Sequence, residues 1–117
     1  MDDRKQLGKL GEEKAVRYLI SKGFKILDRN YKCKTGEIDI IAMEEKTLVF
    51  IEVKTRSGLS YGLPCESVTS AKKRHLLRTL RYYVAFHGLE DMDMRVDVIE
   101  ILAIKKGIYI NHIKNIV

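Results

Sequence analysis

The chain has 117 residues, of which 45% are apolar and only one is proline. This composition argues against disorder, and the length suits one domain with a buried core, so we predict a single domain over residues 1–117. No apolar run approaches the ~20 residues of a membrane span, and Met1–Arg4 lack the basic-then-apolar pattern of a secretion signal. We therefore expect a cytoplasmic protein without membrane contact, in which Cys33 and Cys65 are reduced structural thiols.

The net charge of +6 is concentrated in one segment of the chain. Between Val53 and Leu89 there are seven Lys or Arg residues and one acid, whereas the rest of the chain has 15 basic and 15 acidic residues. A basic surplus confined to one segment favours a surface that faces a polyanion. A solvated helix face explains the charge equally well.

The first predicted element is a helix over residues 4–22, with Asp2 or Asp3 as its N-cap and Gly23 as its end. Helical periodicity places Glu12 near the middle of a face whose other members are small or apolar, namely Gly8, Ala15, Val16 and Leu19.

Glu12 has two interpretations on this helix. It is either a site acid or one half of an ion pair with an interior cation, for which Lys54 is one choice. Its neighbour Glu13 points elsewhere and is interpreted as a solvated charge. Gly8 and Gly11 weaken the helix, but they allow it to lie close against a neighbouring layer.

The central stretch, Gly36–Lys54, consists of two apolar runs joined by Glu44–Lys46 and predicts a β-hairpin. Side chains alternate along a strand, so Asp39 is predicted to share a face with Ile41, opposite three apolar residues, Ile38, Ile40 and Ala42. The second strand is predicted to carry Glu52 and Lys54 on the face of its apolar residues Leu48 and Phe50, opposite Val49, Ile51 and Val53. Both faces are apolar, which predicts a hairpin covered on both sides. Charges there are costly unless they are paired or bind a metal.

The flanking strands and the loop are predicted from β-rich runs and turn residues. Strands are expected at Phe24–Asp28, Met94–Ile104 and Ile108–Ile113, and Arg29–Tyr31 is less regular. A loop is expected over Thr55–Leu63, closed by Pro64. Asp97, between two valines, is interpreted as a buried polar supporter. The three histidines have no metal-ligand spacing and are treated as incidental: His75, His87 and His112.

The second helix is predicted from a cap at Ser67 or Thr69 to about Phe86, with Gly88 as its end. Its buried stripe consists of Leu76, Leu80 and Tyr83. The opposite stripe is fully basic and consists of Arg74, Arg78 and Arg81. Lys72 falls on the inner side near the helix start. The aromatic residues of this helix are interpreted as packing groups rather than platforms for stacked bases: Tyr82, Tyr83 and Phe86.

Asp39 and Glu52 are predicted on adjacent antiparallel strands, where two carboxylates repel each other unless they are protonated or bridged by a cation. Oxygen ligands suit Mg²⁺ or Mn²⁺ rather than zinc. Lys54, beside Glu52, supplies an ammonium that can hold an attacking water or offset charge on a phosphoryl oxygen. Glu12, from the covering helix, would complete an acidic site. This combination next to a basic helix favours phosphodiester hydrolysis.

These residues resemble a known signature. Asp39 followed by Glu52-Val53-Lys54 is similar to the PD-(D/E)XK pattern of restriction-endonuclease-like nucleases, with Ile38 in place of the proline. The wider set of blocks resembles the bacterial YraN family, which is similar to archaeal Holliday-junction resolvases: Gly8-x-x-Gly11-Glu12, Arg29-Asn30-Tyr31, Gly36-Glu37-Ile38-Asp39 and Phe50-Ile51-Glu52-Val53-Lys54-Thr55-Arg56. The resemblance implies an α/β fold with a central mixed sheet flanked by helices. It also implies Asp39, Glu52 and the Val53 carbonyl as metal ligands, Lys54 as catalytic lysine and Glu12 as the helix-borne acid.

The leading hypothesis is a Mg²⁺- or Mn²⁺-dependent endonuclease that acts on duplex or branched DNA. The basic residues expected to contact nucleic acid are Arg56, Lys72, Arg74, Arg78 and Arg81. One alternative is a nucleic-acid-binding module on a nuclease fold with weak or no catalysis, and another is an adaptor for an acidic protein. The family analogy suits a homodimer. The roles of Glu37 and Asp97, and the choice between DNA and RNA, stay open.

Overall fold

The computed structural model describes residues 3–57, 70–104 and 106–116. Two helices and five strands follow one another along the chain: α1 (Asp3–Ser21), β1 (Lys25–Cys33), β2 (Gly36–Glu44), β3 (Thr47–Ser57), α2 (Ser70–His87), β4 (Asp93–Ile104) and β5 (Gly107–Ile113). Within these ranges no helix is long and apolar enough to cross a membrane.

The five strands form one mixed sheet in the order β1-β2-β3-β4-β5. Only β3 and β4 run parallel, and α2 lies in the chain between them, as a parallel connection requires. The predicted α/β class, with a central mixed sheet flanked by helices, is confirmed. The predicted hairpin forms β2 and β3 in the middle of this sheet.

A separate apolar cluster covers each face of the sheet. On one face α1 packs through Ala15, Val16 and Leu19 onto strand residues that include Ile40, Val49, Ile51 and Ile99. On the other face α2 packs through Leu76, Leu80, Tyr83 and Val84 onto strand residues that include Ile41, Leu48, Phe50 and Val98. The hairpin is thus covered on both sides, as predicted.

Two strands are longer than the sequence pattern predicted. The strand expected to end at Asp28 continues as β1 to Cys33, because its far half pairs with the start of β2. The loop expected from Thr55 begins later, because β3 pairs with β4 as far as Ser57. The rest of that loop, with Pro64 and the predicted helix caps, lies outside the described residues.

Glycines end both helices in the predicted places. At the end of α1, Gly23 has φ +93° and the Phe24 N–H donates to the Leu19 carbonyl at 2.9 Å. At the end of α2, Gly88 has φ +64° and the Leu89 N–H donates to the Val84 carbonyl at 2.9 Å. Both are hydrogen bonds of the Schellman type, which glycine favours because it has no Cβ. At the other end of α1, Asp3 is itself helical rather than the cap.

Gly11 lets α1 lie directly on β3. A Cβ at this position would collide with the Oγ1 of Thr55, whereas a Cβ at Gly8 would have no atom within 4 Å. Of the two glycines to which the sequence assigned close packing, only Gly11 has it. This approach fixes the height of Glu12, the next residue along α1, above the sheet.

A buried polar network joins α1 to the edge of the sheet at β5. Asp97 is 0% exposed and accepts hydrogen bonds from His112 Nε2 at 2.8 Å, Arg95 Nε at 3.0 Å and the Asn115 N–H at 2.9 Å. Burial raises the pKa of Asp97, but these donors outweigh it and hold the pKa low. His112 Nδ1 lies 3.0 Å from the Tyr18 hydroxyl. Asp97 is therefore the buried polar supporter that was predicted, and treating His112 as incidental was wrong.

Gly11→Ala should lower the free energy of unfolding by about 1–3 kcal/mol, because the added methyl collides with the stiff Thr55 side chain. The matched change Gly8→Ala should raise it by up to about 1 kcal/mol, since it gains helix propensity without a clash. Urea denaturation of the two variants beside the wild type measures both. Equal effects at the two positions would contradict the close approach at Gly11.

Candidate active site

The site begins where β2 and β3 separate. Their pairing runs from Glu44↔Thr47 to Ile40↔Ile51 and stops there, and Asp39 is the next residue of β2. The Val53 N–H donates instead to Asp39 Oδ2 at 2.8 Å. A buried backbone donor needs a partner, so the carboxylate replaces the strand that has moved away.

The separation also changes the alternation of side chains in β2. Ile38 packs in the α2-side cluster with Ile41, whereas Ile40 packs in the α1-side cluster. Placing Ile38 on one face with Ile40 was therefore wrong. Opposite this point Asn30 of β1 has φ +54°, a left-handed conformation that asparagine tolerates. The irregularity expected at Arg29–Tyr31 is thus real.

Glu52 and Lys54 lie side by side on the α2 face of β3. Lys54 Nζ is 3.0 Å from Glu52 Oε1, and their side chains are only 17% and 18% exposed. Burial acts to lower the pKa of Lys54, but contact with Lys72 and the charge of Glu52 outweigh it and raise the pKa. The pKa of Lys72 is lowered, chiefly by its hydrogen bond to Lys54. The contact between the two lysines thus favours the charged form of Lys54 over that of Lys72.

Asp39 is a carboxyl group whose pKa is strongly raised. Burial and then the charge of Glu52 raise the pKa of Asp39 from 3.8 to about 7, although the Val53 N–H opposes them. Glu12 and Glu37 contribute in the same direction. Three other carboxylates therefore act on Asp39, and the effect of Glu52 is the crowding that the sequence predicted between these two residues.

Glu12 approaches this group from α1, on the other side of the sheet. Burial raises its pKa, opposed by the charge of Arg29 and by contact with the Asn30 amide. Arg29 itself is paired with Glu13 at 2.7 Å. Since Lys54 pairs with Glu52, the structure does not contain the alternative ion pair between Glu12 and Lys54.

An open cleft lies between the start of α2 and the sheet. It is lined by Glu37, Glu52, Lys72, His75, Leu76 and Thr79. Thr79 fixes the cleft wall, because its hydroxyl donates to the His75 carbonyl at 2.8 Å and lies 3.0 Å from Thr35 Oγ1 in the β1–β2 turn. The sequence left the role of Glu37 open and dismissed His75. No spacing signal marks either residue, since α2 reaches the cleft only through tertiary packing.

The predicted nucleic-acid residues divide into two groups. Lys72 lines the cleft. Arg56 lies two residues beyond Lys54 and acts on Glu100: burial raises the pKa of Glu100, and the charge of Arg56 partly opposes that rise. The other three, Arg74, Arg78 and Arg81, are exposed on the side of α2 that faces away from its buried residues.

The residues fit a hard divalent cation in donor type. Asp39 and Glu52 supply carboxylate oxygens, and the Val53 carbonyl can supply a neutral one. The Val53 N–H donates to Asp39 Oδ2, so Oδ1 would be the oxygen of this carboxylate that is better able to bind a cation. Within the described ranges no three His, Cys, Asp or Glu side chains converge closely enough to hold a metal by themselves. A cation here would therefore complete its shell with the backbone carbonyl and water.

Fold and site together define an α/β protein with paired carboxylates and a lysine where two central strands separate. The chain belongs to the family described as "Uncharacterised protein family UPF0102", whose model matches residues 11–101. This is the YraN family that the sequence blocks resemble, so the resemblance is confirmed.

Relatives match along almost the whole chain. A UPF0102 protein of Clostridioides difficile is 46% identical over 113 residues, which cover 97% of this chain and 97% of that protein. One of Caldicellulosiruptor saccharolyticus is 46% identical over 115 residues and covers 97% and 98%. A solved complex of EndoMS with double-stranded DNA has a TM-score of 0.35 at 19% identity. That match covers 83% of this chain and 38% of EndoMS.

Asp39→Asn should change how stability depends on pH when no metal is present. The raised pKa means that the folded protein holds a proton on Asp39 between pH 3.8 and about 7, so its contribution to stability is lost as the pH rises through that range. Asn cannot ionise and keeps an oxygen for the Val53 N–H. Above pH 7 the variant should therefore melt higher than the wild type, and the difference should shrink towards pH 4.

Melting curves from pH 4 to pH 8 in a chelating buffer test this. Glu90→Gln, at an exposed acid in the connection before β4, is the control and should show no such trend. A constant difference between Asp39→Asn and wild type across the range would contradict a raised pKa at Asp39.

Proposed function

We propose that this protein is a metal-dependent endonuclease that hydrolyses phosphodiester bonds in DNA. The observation that supports it most directly is the arrangement of Asp39, Glu52 and Lys54. Two carboxylates that raise each other's energy when ionised stand beside a lysine, and one of them, Glu52, lines an open cleft. A divalent cation is the simplest group that would offset this repulsion.

Each residue has a role that its position supports. Asp39 and Glu52, with the Val53 carbonyl, would hold Mg²⁺ or Mn²⁺, which when bound supplies Lewis acidity to the phosphoryl group. Lys54, beside Glu52, would orient a water or offset charge on a phosphoryl oxygen. Glu12, whose charge acts on Asp39, would influence the same group through that residue.

The basic residues supply the affinity for a polyanion. Lys72 stands in the cleft within contact of Lys54, and the exposed arginines of α2 continue the positive surface outward. Phosphate contacts of this kind bind without reading sequence. We therefore propose recognition of DNA by shape, with branched substrates and a homodimer as the finer form that the resolvase resemblance suggests.

Glu52→Gln and Lys54→Ala should each reduce metal-dependent cleavage by at least about 100-fold, because each removes a group that acts on the reacting phosphate. Binding to the same DNA should stay within a few-fold of wild type. The assay is a panel of single-stranded, duplex, flap and four-way DNA, plus RNA, with Mg²⁺ or Mn²⁺. Glu90→Gln, at an exposed acid in the connection before β4, is the control and should cleave normally.

If the wild type binds DNA but cuts no member of the panel with either metal, the nuclease proposal fails. The protein would then be a nucleic-acid-binding module on this fold. If it binds only a protein partner at physiological salt, the adaptor hypothesis replaces both.

Changing Arg74, Arg78 and Arg81 together to Gln should weaken DNA binding. The slope of log affinity against log salt concentration should fall in magnitude by about two to three, since each lost phosphate contact removes about one unit. The helix should remain folded, because these side chains lie away from its buried residues. Fluorescence anisotropy over a range of salt concentrations measures the slope. A triple change at three exposed cations elsewhere, Arg17, Lys25 and Lys46, is the control. An equal loss in the control would mean that binding does not depend on α2 in particular.

A further inference from the structure

Two large aromatic side chains on α2 are exposed to solvent. Tyr82 is 56% exposed and Phe86 is 85% exposed, the highest value among the exposed large hydrophobic residues of the described chain. The interpretation of these two residues as packing groups was wrong, although Tyr83 is buried as expected. Exposed apolar surface of this size is costly to leave in water and often marks a binding site.

The two aromatics belong to a regular row. Arg74, Arg78, Tyr82 and Phe86 follow one another at intervals of four residues, so they lie next to each other along one side of the helix, and all four are exposed. We call this set the α2 row. The 18 residues of α2 include five Lys or Arg and no acid, so the field around the row is positive.

The α2 row leads away from the cleft. His75, which lines the cleft, is seven residues before Tyr82 and eleven before Phe86, and these spacings place all three on one side of the helix. At 1.5 Å per residue the two aromatics lie about 10 and 16 Å further along the helix axis. At ~3.4 Å per stacked nucleotide, that length corresponds to about five nucleotides.

We propose that the α2 row binds a single-stranded segment of nucleic acid that leaves the cleft. Arg74 and Arg78 contact its phosphates, and Tyr82 and Phe86 stack on its bases. Stacking needs unpaired bases, because the faces of paired bases are covered by their neighbours in a duplex. This inference rests on the proposed function and narrows its substrates to those with a single-stranded segment.

Charge favours this occupant over a second copy of the chain or another protein. A second copy of this helix would bring five further cations and no acid against the row, and an uncharged apolar partner would leave Arg74 and Arg78 without counter-charge. Single strands are bound by combinations of positive charge and aromatic faces. The acidic residues after the helix, Glu90 and Asp91, are exposed beyond its end. The positive path therefore stops near Phe86, which makes Phe86 the last stacking position.

The chain contains no tryptophan, so Phe86→Trp introduces a single reporter at the end of the row. In a chelating buffer, which prevents cleavage, an oligothymidylate should quench this fluorescence as its bases stack on the indole. A blunt duplex of equal length should quench it little. Ile20→Trp, at a 57% exposed position on α1, is the matched control and should not respond to either DNA.

Affinity measurements complete the test. Phe86→Ala should weaken binding of the oligothymidylate about 10-fold and leave duplex affinity and the salt slope unchanged, whereas Tyr82→Phe should bind as wild type. Both side chains are exposed, so neither change should alter the melting temperature. Melting curves therefore check that each variant is folded.

Three results would overturn the proposal: bound oligothymidylate without quenching at position 86, equal loss of single-strand and duplex affinity, or a Phe86-dependent change of molecular mass. The last would assign the surface to self-association. The test is independent of catalysis. Quenching by a protein that cuts nothing would support the row and refute the nuclease, and cleavage without quenching would do the reverse.

Discussion

The site depends on the hydrogen bond between the Val53 N–H and the Asp39 carboxylate. It lets β2 and β3 separate after Ile40 and Ile51 without leaving a backbone donor unpaired inside the sheet. The same bond holds Asp39 next to Glu52, although their charges repel. The fold therefore maintains two carboxylates in an arrangement that is unfavourable when both are ionised, a cost to stability of the kind found at functional sites.

The charged groups on the two faces of the sheet differ in their partners. On the α1 face, the Asp97 network satisfies its buried charges with His112, Arg95 and Asn115, which suits a structural role. On the α2 face, Glu52 pairs with Lys54 and borders an open cleft. A buried carboxylate held by three donors favours one conformation, whereas a carboxylate beside an open cleft is accessible to a ligand.

The sequence predicted the parts of this account that depend on local pattern. Apolar runs located the central hairpin, and the alternation along β3 placed Glu52 and Lys54 correctly. The same rule failed at Ile38, because alternation assumes regular pairing and the strands separate there. It also gave no signal for His75 in the cleft or for the exposure of Phe86. Those features depend on how α2 is oriented on the sheet, which helical periodicity within one segment does not determine.

A carbon-detected NMR titration of the Asp39 carboxyl group, with and without Mg²⁺, is the sharpest test of whether Asp39 and Glu52 are crowded and share a cation. We expect a pKa of about 7 without metal, from burial and the charge of Glu52, and a much lower pKa when Mg²⁺ is present. An ordinary pKa that is the same in both conditions would contradict this expectation. That result would mean that the two carboxylates are not crowded and do not share a cation.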